Sequence, residues 1–349
     1  MSKPLISVII VAYNRTEYLP LAVDSVLNQS LARDEYDIVV SKNFSSAHDK
    51  VWEEKGVKLL FYGEAGLGGR VAHALTSCEG DYVCLLEDDD MFEKNKLSVV
   101  KEVFTSRPTL TYLFNSIQTI DRTGRRLGVN LHAPLAKEVY LNEPFKRVHW
   151  LYRLYNEGFG WHNSAISVRK TLLEENLESV KRVNMALDSY IYWLNCASNK
   201  PLLLHPYRLT LYRAHQANAS AAKPCYSEHL KQRSSMASKI VADISLLQPK
   251  AEHTPFKDAL NELLVFWRLQ LLTSSERTSA NDRLLNLGRL IYYNLVDKNT
   301  FNPRRLSPSS ILMLAAISVA NQKLATRIGY SNMLNATIIR KQSDADGAL

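Results

Sequence analysis

The chain has 349 residues, 46% of them hydrophobic and spread throughout, which allows one large core plus an appendage and excludes a disordered protein, apart from a flexible tail at 342–349. A formal charge of +8 suits an anionic partner such as a nucleotide or a phospholipid surface; no basic helix or recognised module points to nucleic acid. Cys78, Cys84, Cys196 and Cys225 show no paired spacing and read as reduced thiols, the chain opens directly on a strand without a signal peptide, and no run approaches the roughly 18 apolar residues of a membrane span, so a cytoplasmic location is expected.

Leu5 to Ala12 is a near-continuous β-rich run, as in a central parallel strand covered on both faces. Tyr13-Asn14-Arg15 follows, then a helix over Glu17–Gln29 with Leu19, Ala22, Val23, Val26 and Leu27 at helical spacing. Tyr36–Val40 and Val57–Tyr62 are the second and third strands, Gly63–Gly69 a Gly-rich loop, and Arg70–Cys78 a short helix. Tyr82–Leu86 is a fourth, buried strand. Alternating strands and helices predict an α/β fold, a parallel sheet wrapped by helices whose ligands sit beyond the carboxyl ends of its strands.

The fourth strand ends in Glu87, Asp88, Asp89 and Asp90. Carboxylates so placed repel one another unless a cation or hydrogen-bond donors satisfy them. Their hard oxygens suit Mg²⁺ or Mn²⁺ with phosphate completing the shell, and strand alternation puts Glu87 and Asp89 on one side. The competing reading is an acidic start to the helix Lys94–Ser106. Gly63, Gly66, Gly68 and Gly69 form no dinucleotide fingerprint, and no Gly-Lys-Ser/Thr is present, which excludes a P-loop enzyme.

The opening Pro4–Arg15, with Leu19–Ala22, Ser25 and Gln29, and then Gly80-Asp81-Tyr82 followed by Leu86–Asp90, resembles family 2 glycosyltransferases over about residues 4–215. The resemblance implies a GT-A fold (a Rossmann-like, mixed, mostly parallel sheet flanked by helices), a nucleoside-diphosphate sugar donor, and transfer to an acceptor hydroxyl with inversion at the anomeric carbon. It makes Glu87 and Asp89 the metal ligands, with a Glu where the family's motif opens on Asp. After the second strand the family's Asp-Asp-Gly-Ser is replaced by Ser41-Lys42-Asn43-Phe44-Ser45, which leaves the nucleotide base open. The donor is expected on Ala12, Tyr13, Asn43, Arg70, Asp88 and Arg213.

Leu110–Ile120 reads as a strand, with Asp121–Gly124 as the turn of a hairpin. From Phe145 to Trp161 aromatics are dense, which fits either a sugar platform or a helix burying its aromatic face; Trp161 and His162, on a Gly-rich loop, are the acceptor-side candidates. Asp188 opens a helix running to about Ala197 and is a candidate N-cap. The resemblance makes it instead the base that takes the acceptor's proton. Leu202–Leu204 and Leu209–Tyr212 are apolar segments. Tyr212-Arg213-Ala214-His215 and the following Asn218 and Ser220 resemble the family's closing motif, which implies Arg213 near the diphosphate and His215 as a metal ligand.

The expected division is a GT-A domain over 1–223 and a helical region over 224–341, with helices at Ser227–Leu247, Phe256–Thr273, Asn281–Asp297 and Pro308–Ile328. Asn299–Ser343 contains basic residues and no Asp or Glu, and Ile311–Ala320 is apolar apart from Ser318. This suits either peripheral contact with an anionic membrane, bringing the enzyme to a glycan or lipid-linked acceptor, or a helical packing surface. The rival from another class is a noncatalytic nucleotide-sugar or polyanion binding protein on the same fold.

Overall fold

In the computed structural model, residues 3–64, 66–128, 135–215 and 225–274 are described. The first four strands are β1 (Ile6–Val11), β2 (Tyr36–Lys42), β3 (Val57–Phe61) and β4 (Tyr82–Glu87). They run parallel in the order β3-β2-β1-β4. Every residue of β1 and β2 is buried, which is why these segments read as unbroken apolar runs and not as alternation. The sheet continues through β5 (Met91–Phe92), β6 (Tyr112–Ile120), β7 (Val139–Leu141), β8 (Ile166–Arg169) and β9 (Leu202–Arg213). Its second half runs β4-β8-β6-β9-β5, with β7 also on β9. There β8 lies antiparallel to both its neighbours, while β6 and β9 are parallel.

Helices Leu19–Leu27 and Lys96–Ser106 cover this half-parallel sheet. The first inserts Leu19, Ala22, Val23 and Val26 and the second Leu97, Val100, Val103 and Phe104 into one core with β1, β2 and β4. Each such aliphatic or aromatic side chain contributes about 1.5–3 kcal/mol on burial. Phe104 stacks on Tyr82 of β4 at 4.4 Å between centroids.

Three local differences from the sequence reading have physical causes. A helix at Asp49–Glu54 sits between β2 and β3; only Trp52 of its six residues is buried, so it carries little apolar periodicity. The helix expected from Arg70 starts at Leu67 and takes in Gly68 and Gly69. These glycines serve close packing. A Cβ on Gly68 would lie 1.9 Å from the Val180 carbonyl oxygen, and its amide donates to Val183 O at 2.9 Å. Lastly, the two apolar segments around Pro206 form one strand, β9, because its pairing with β6 shifts register between Asn115 and Ile117 and so passes over the proline. The turn at Asp121–Gly124 forms as expected: the Asp121 carboxylate accepts the amides of Thr123 and Arg125, and Gly124 has φ +91°.

The described residues up to Ala214, together with Leu246–Phe256, form one compact unit. In the second, helices Tyr226–Ser245 and Lys257–Ser274 pack on each other. The helices expected at 281–297 and 308–328, the basic segment 299–343 and the tail lie outside the described residues. Among the described residues no helix is long and apolar enough to cross a membrane.

Gly68→Ala is therefore expected to destabilise the first unit by about 1–3 kcal/mol through overpacking. Gly128→Ala, where a Cβ meets nothing within 4 Å, is expected to leave the melting temperature unchanged. Thermal denaturation of both variants checks this; equal melting temperatures would contradict the packing role of Gly68.

Candidate active site

The sheet register brings the expected site residues together. Val11 pairs with Ser41 on one side and with Glu87 on the other, and Lys42 pairs with Phe61. The chain therefore leaves β1, β2, β3 and β4 at one edge, and Ala12, Tyr13, Asn43 and the acids all emerge there.

Strand alternation stops at Glu87. A turn follows, closed by the Asp90 amide on Glu87 O at 3.2 Å. This turn gathers Glu87, Asp89 and Asp90, whose carboxylate oxygens lie within 4.8 Å of one another. Asp90 joins the two expected ligands. Asp88 turns away to Arg15, whose Nε lies 3.1 and 3.2 Å from its two oxygens. A terminal nitrogen of Arg15 also reaches Asp89 Oδ2 at 2.8 Å.

Hydrogen bonds from distant segments hold the turn. The Glu87 amide donates to Ser164 Oγ at 3.0 Å, and Asn163 Nδ2 donates to Glu87 Oε1 at 3.0 Å. The Arg213 amide donates to Asp90 Oδ1 at 2.9 Å, while its Nε donates to Asp89 O at 2.9 Å. Arg213 is fully buried, with its guanidinium also on the carbonyls of Asp121 and Arg122 and 4.6 Å from the Tyr18 ring centroid. This places it beneath the acidic turn as a support.

The crowding shows in the acidities. Burial, then Asp89 and Asp90 nearby, push Glu87 well above the usual carboxylate range; Asp188 adds to this and the Asn163 amide opposes it. Burial first and Asp89 second push Asp90 up to about 7. Burial raises Asp88 to about 6 against the opposing pull of Arg15. Glu87 and Asp90, both disfavoured as anions, gathered with Asp89 at one point fit a hard divalent cation such as Mg²⁺ or Mn²⁺.

On the donor side, the Ala12 amide donates to Ser41 O at 2.9 Å. Arg70, buried and with its pKa lowered by that burial, lies 3.9 Å from the Tyr13 ring centroid and donates to Glu64 O at 3.0 Å. Both ends of the Asn43 carboxamide engage Asn14: Oδ1 accepts its amide at 2.9 Å and Nδ2 donates to its Oδ1 at 2.7 Å.

Asp188 stands in the first turn of helix Leu187–Ala197. It is not the cap, because that position is Ala186. Its Oδ1 accepts the Ser189 amide at 2.6 Å and its Oδ2 the His162 amide at 2.7 Å. Burial raises its pKa, and these two amides oppose the rise. His162 reaches Asp188 from a loop with three left-handed residues: Gly158 (φ +101°), Gly160 (φ +92°) and His162 itself (φ +77°). A Cβ at Gly160 would meet the Tyr192 ring at 2.6 Å. The His162 ring lies against Tyr212, 4.7 Å between centroids. Tyr152, Tyr155 and Phe159 are buried, whereas Trp161 is 41% exposed with its edge on Tyr155. His215 follows Ala214 directly and belongs to the second compact unit.

Sequence reasoning assigned no role to Arg15, Asp90, Asn163, Ser164 or Lys96. Arg15 and Asp90 were visible within the two motifs. Lys96 gave no signal: fully buried, it donates to Ser164 O at 2.5 Å and Thr210 Oγ1 at 3.0 Å, and burial pushes its pKa down to about 7. It thus braces the segment that carries Ser164.

The model for the family described as glycosyl transferase family 2 matches residues 7–175, from β1 through the acidic turn and β8. That stretch is a family 2 glycosyltransferase domain. A putative teichuronic acid biosynthesis glycosyltransferase, TuaG of Bacillus subtilis, is 32% identical over 137 residues, 38% of this chain and 54% of TuaG, so the match spans about half of that relative. An uncharacterized glycosyltransferase of Methanocaldococcus jannaschii is 25% identical over 206 residues, 57% of this chain and 67% of its own length. In fold, the chain is similar to S. aureus TarS 1–349 in complex with UDP-GlcNAc, with a TM-score of 0.52 at 14% identity, covering 94% of this chain and 92% of TarS 1–349. The sheet has the GT-A architecture.

Raised acidities have a signed consequence. Asp90 at about 7 and Asp88 at about 6, against ordinary values of 3.8, hold protons in the folded chain that the unfolded chain has already released. Without metal, stability from these groups is greatest at the acid end and falls as pH rises from about 4 to about 7. Mn²⁺ is therefore expected to raise the melting temperature more at pH 8 than at pH 5, and Asp90→Asn to flatten that difference. Thermal shift assays with Mn²⁺ and with chelator check this; equal Mn²⁺ shifts at both pH values would contradict it.

Proposed function

We propose that this chain is an inverting glycosyltransferase that moves a sugar from a nucleoside-diphosphate sugar to an acceptor hydroxyl by direct displacement. One observation carries the reading: Glu87, Asp89 and Asp90 converge beyond the parallel strands, and the loop whose Asn163 donates to Glu87 also holds Asp188 through the adjacent His162 amide. The UDP-GlcNAc complex of the TarS neighbour supports the donor class, and the putative teichuronic acid biosynthesis role of TuaG supports a growing glycan as acceptor.

Glu87, Asp89 and Asp90 would hold Mg²⁺ or Mn²⁺ in this reading. When bound, the cation offsets the charge that develops on the departing diphosphate. Tyr13 and Arg70 line the donor side with Ala12 and Asn43; Arg70 supplies a fixed positive charge backed by Tyr13. Asp188 takes the acceptor proton. Its two amide contacts fix the carboxylate's direction, and its raised pKa strengthens it as a base near neutral pH. Trp161 and His162 flank the acceptor, whose hydroxyl attacks opposite the leaving diphosphate. The basic, partly apolar sequence of 299–343 supports peripheral contact with an anionic membrane, where a lipid-linked acceptor would lie.

The test is a panel of nucleoside-diphosphate sugars with Mn²⁺ or chelator, read by binding and by slow donor hydrolysis. Asp188→Asn is expected to lower turnover about 10²–10⁴-fold while Mn²⁺-dependent donor binding stays within error. Asp89→Asn is expected to lose both. No binding of any donor, or equal loss of donor binding in both variants, would contradict the assigned roles.

A further inference from the structure

One cation of the chain itself already occupies the acidic turn. The Arg15 guanidinium spans Asp88 through Nε and a terminal nitrogen and meets Asp89 Oδ2 at 2.8 Å through the other. Its side chain is 28% exposed and those of its two partners 5% each, so this is no solvated surface pair. Its backbone is placed as deliberately: Asn14, with φ +54°, is pinned by the paired carboxamides of Asn14 and Asn43, which tie the loop after β1 to the loop after β2. Asp89 is also a member of the three-carboxylate cluster. A divalent cation at the cluster and the Arg15 charge thus compete for the same side chain.

We propose that Arg15 is an internal counter-ion that weakens binding of the cation alone and couples it to binding of the donor diphosphate. Anchored on Asp88, the guanidinium yields Asp89 when the cation binds. Its released nitrogen then turns to a phosphate oxygen, which suits the planar fork of arginine. The paired exchange leaves neither Asp89 nor the guanidinium without an opposite charge. It also gives Asn43 a positioning task, since Asn43 fixes the residue that precedes Arg15. The inference rests on the metal reading of the cluster given above.

Mn²⁺ binding to the full chain, followed by electron paramagnetic resonance with no nucleotide, with UDP and with GDP, tests it without any turnover. The native chain is expected to bind Mn²⁺ more tightly when a diphosphate is present. Arg15→Gln is expected to bind Mn²⁺ alone about tenfold more tightly than the native chain, and to gain less from the diphosphate. Arg15→Lys keeps the charge but loses the fork, and should lie between; it serves as the variant if Arg15→Gln does not fold. Mn²⁺ affinity that is unchanged or lower in both variants would overturn the counter-ion role alone. A native chain that binds no Mn²⁺ with or without diphosphate would overturn the metal reading and this proposal with it.

Discussion

Four consecutive carboxylates at the end of a buried strand must be kept from repelling one another, and much of the surrounding structure answers that constraint. The turn after β4 sends Asp88 to Arg15 and leaves Glu87, Asp89 and Asp90 facing a common point. Arg213 and Asn163 supply donors from distant parts of the chain, Ser164 Oγ accepts the Glu87 amide, and Lys96 braces Ser164 through its carbonyl. Burial first, and then the remaining repulsion, raise the pKa values of Glu87 and Asp90, a state that a divalent cation relieves.

The rest of the fold aims other groups at the same edge. Parallel pairing of β2, β1 and β4 brings the loops carrying Asn43, Tyr13 and the acids side by side. The strained loop Gly158–His162 delivers a backbone amide to Asp188 and fixes its carboxylate. Strain of this kind persists where surrounding contacts over-determine it; here Tyr192 against Gly160 and Tyr212 against His162 do so.

Much of this was legible in the sequence, because the parallel strands are buried on both faces and show as unbroken apolar runs ending in polar clusters. The acidic motif and Asp188 stood out through chemistry. What escaped has identifiable causes. Strand periodicity placed Glu87 and Asp89 together but missed Asp90, since alternation ends where the turn begins. Gly68 and Gly69 looked like loop residues, while their task is close approach, Gly68 to Val180 across distant sequence and Gly69 to Tyr62. Asp188 resembled a cap because it opens a helix, yet its partner amide at His162 belongs to another loop. Lys96 was invisible because one buried lysine in an ordinary amphipathic helix carries no pattern.

The central claim is that the turn after β4 holds a divalent cation together with a nucleoside diphosphate. Crystals grown with Mn²⁺ and UDP or GDP, measured at a wavelength where manganese scatters anomalously, test it most directly. The account predicts a manganese peak within coordinating distance of Glu87, Asp89 and Asp90, with diphosphate oxygens completing its shell. Manganese bound elsewhere, or a diphosphate seated with no metal at these carboxylates, would contradict it.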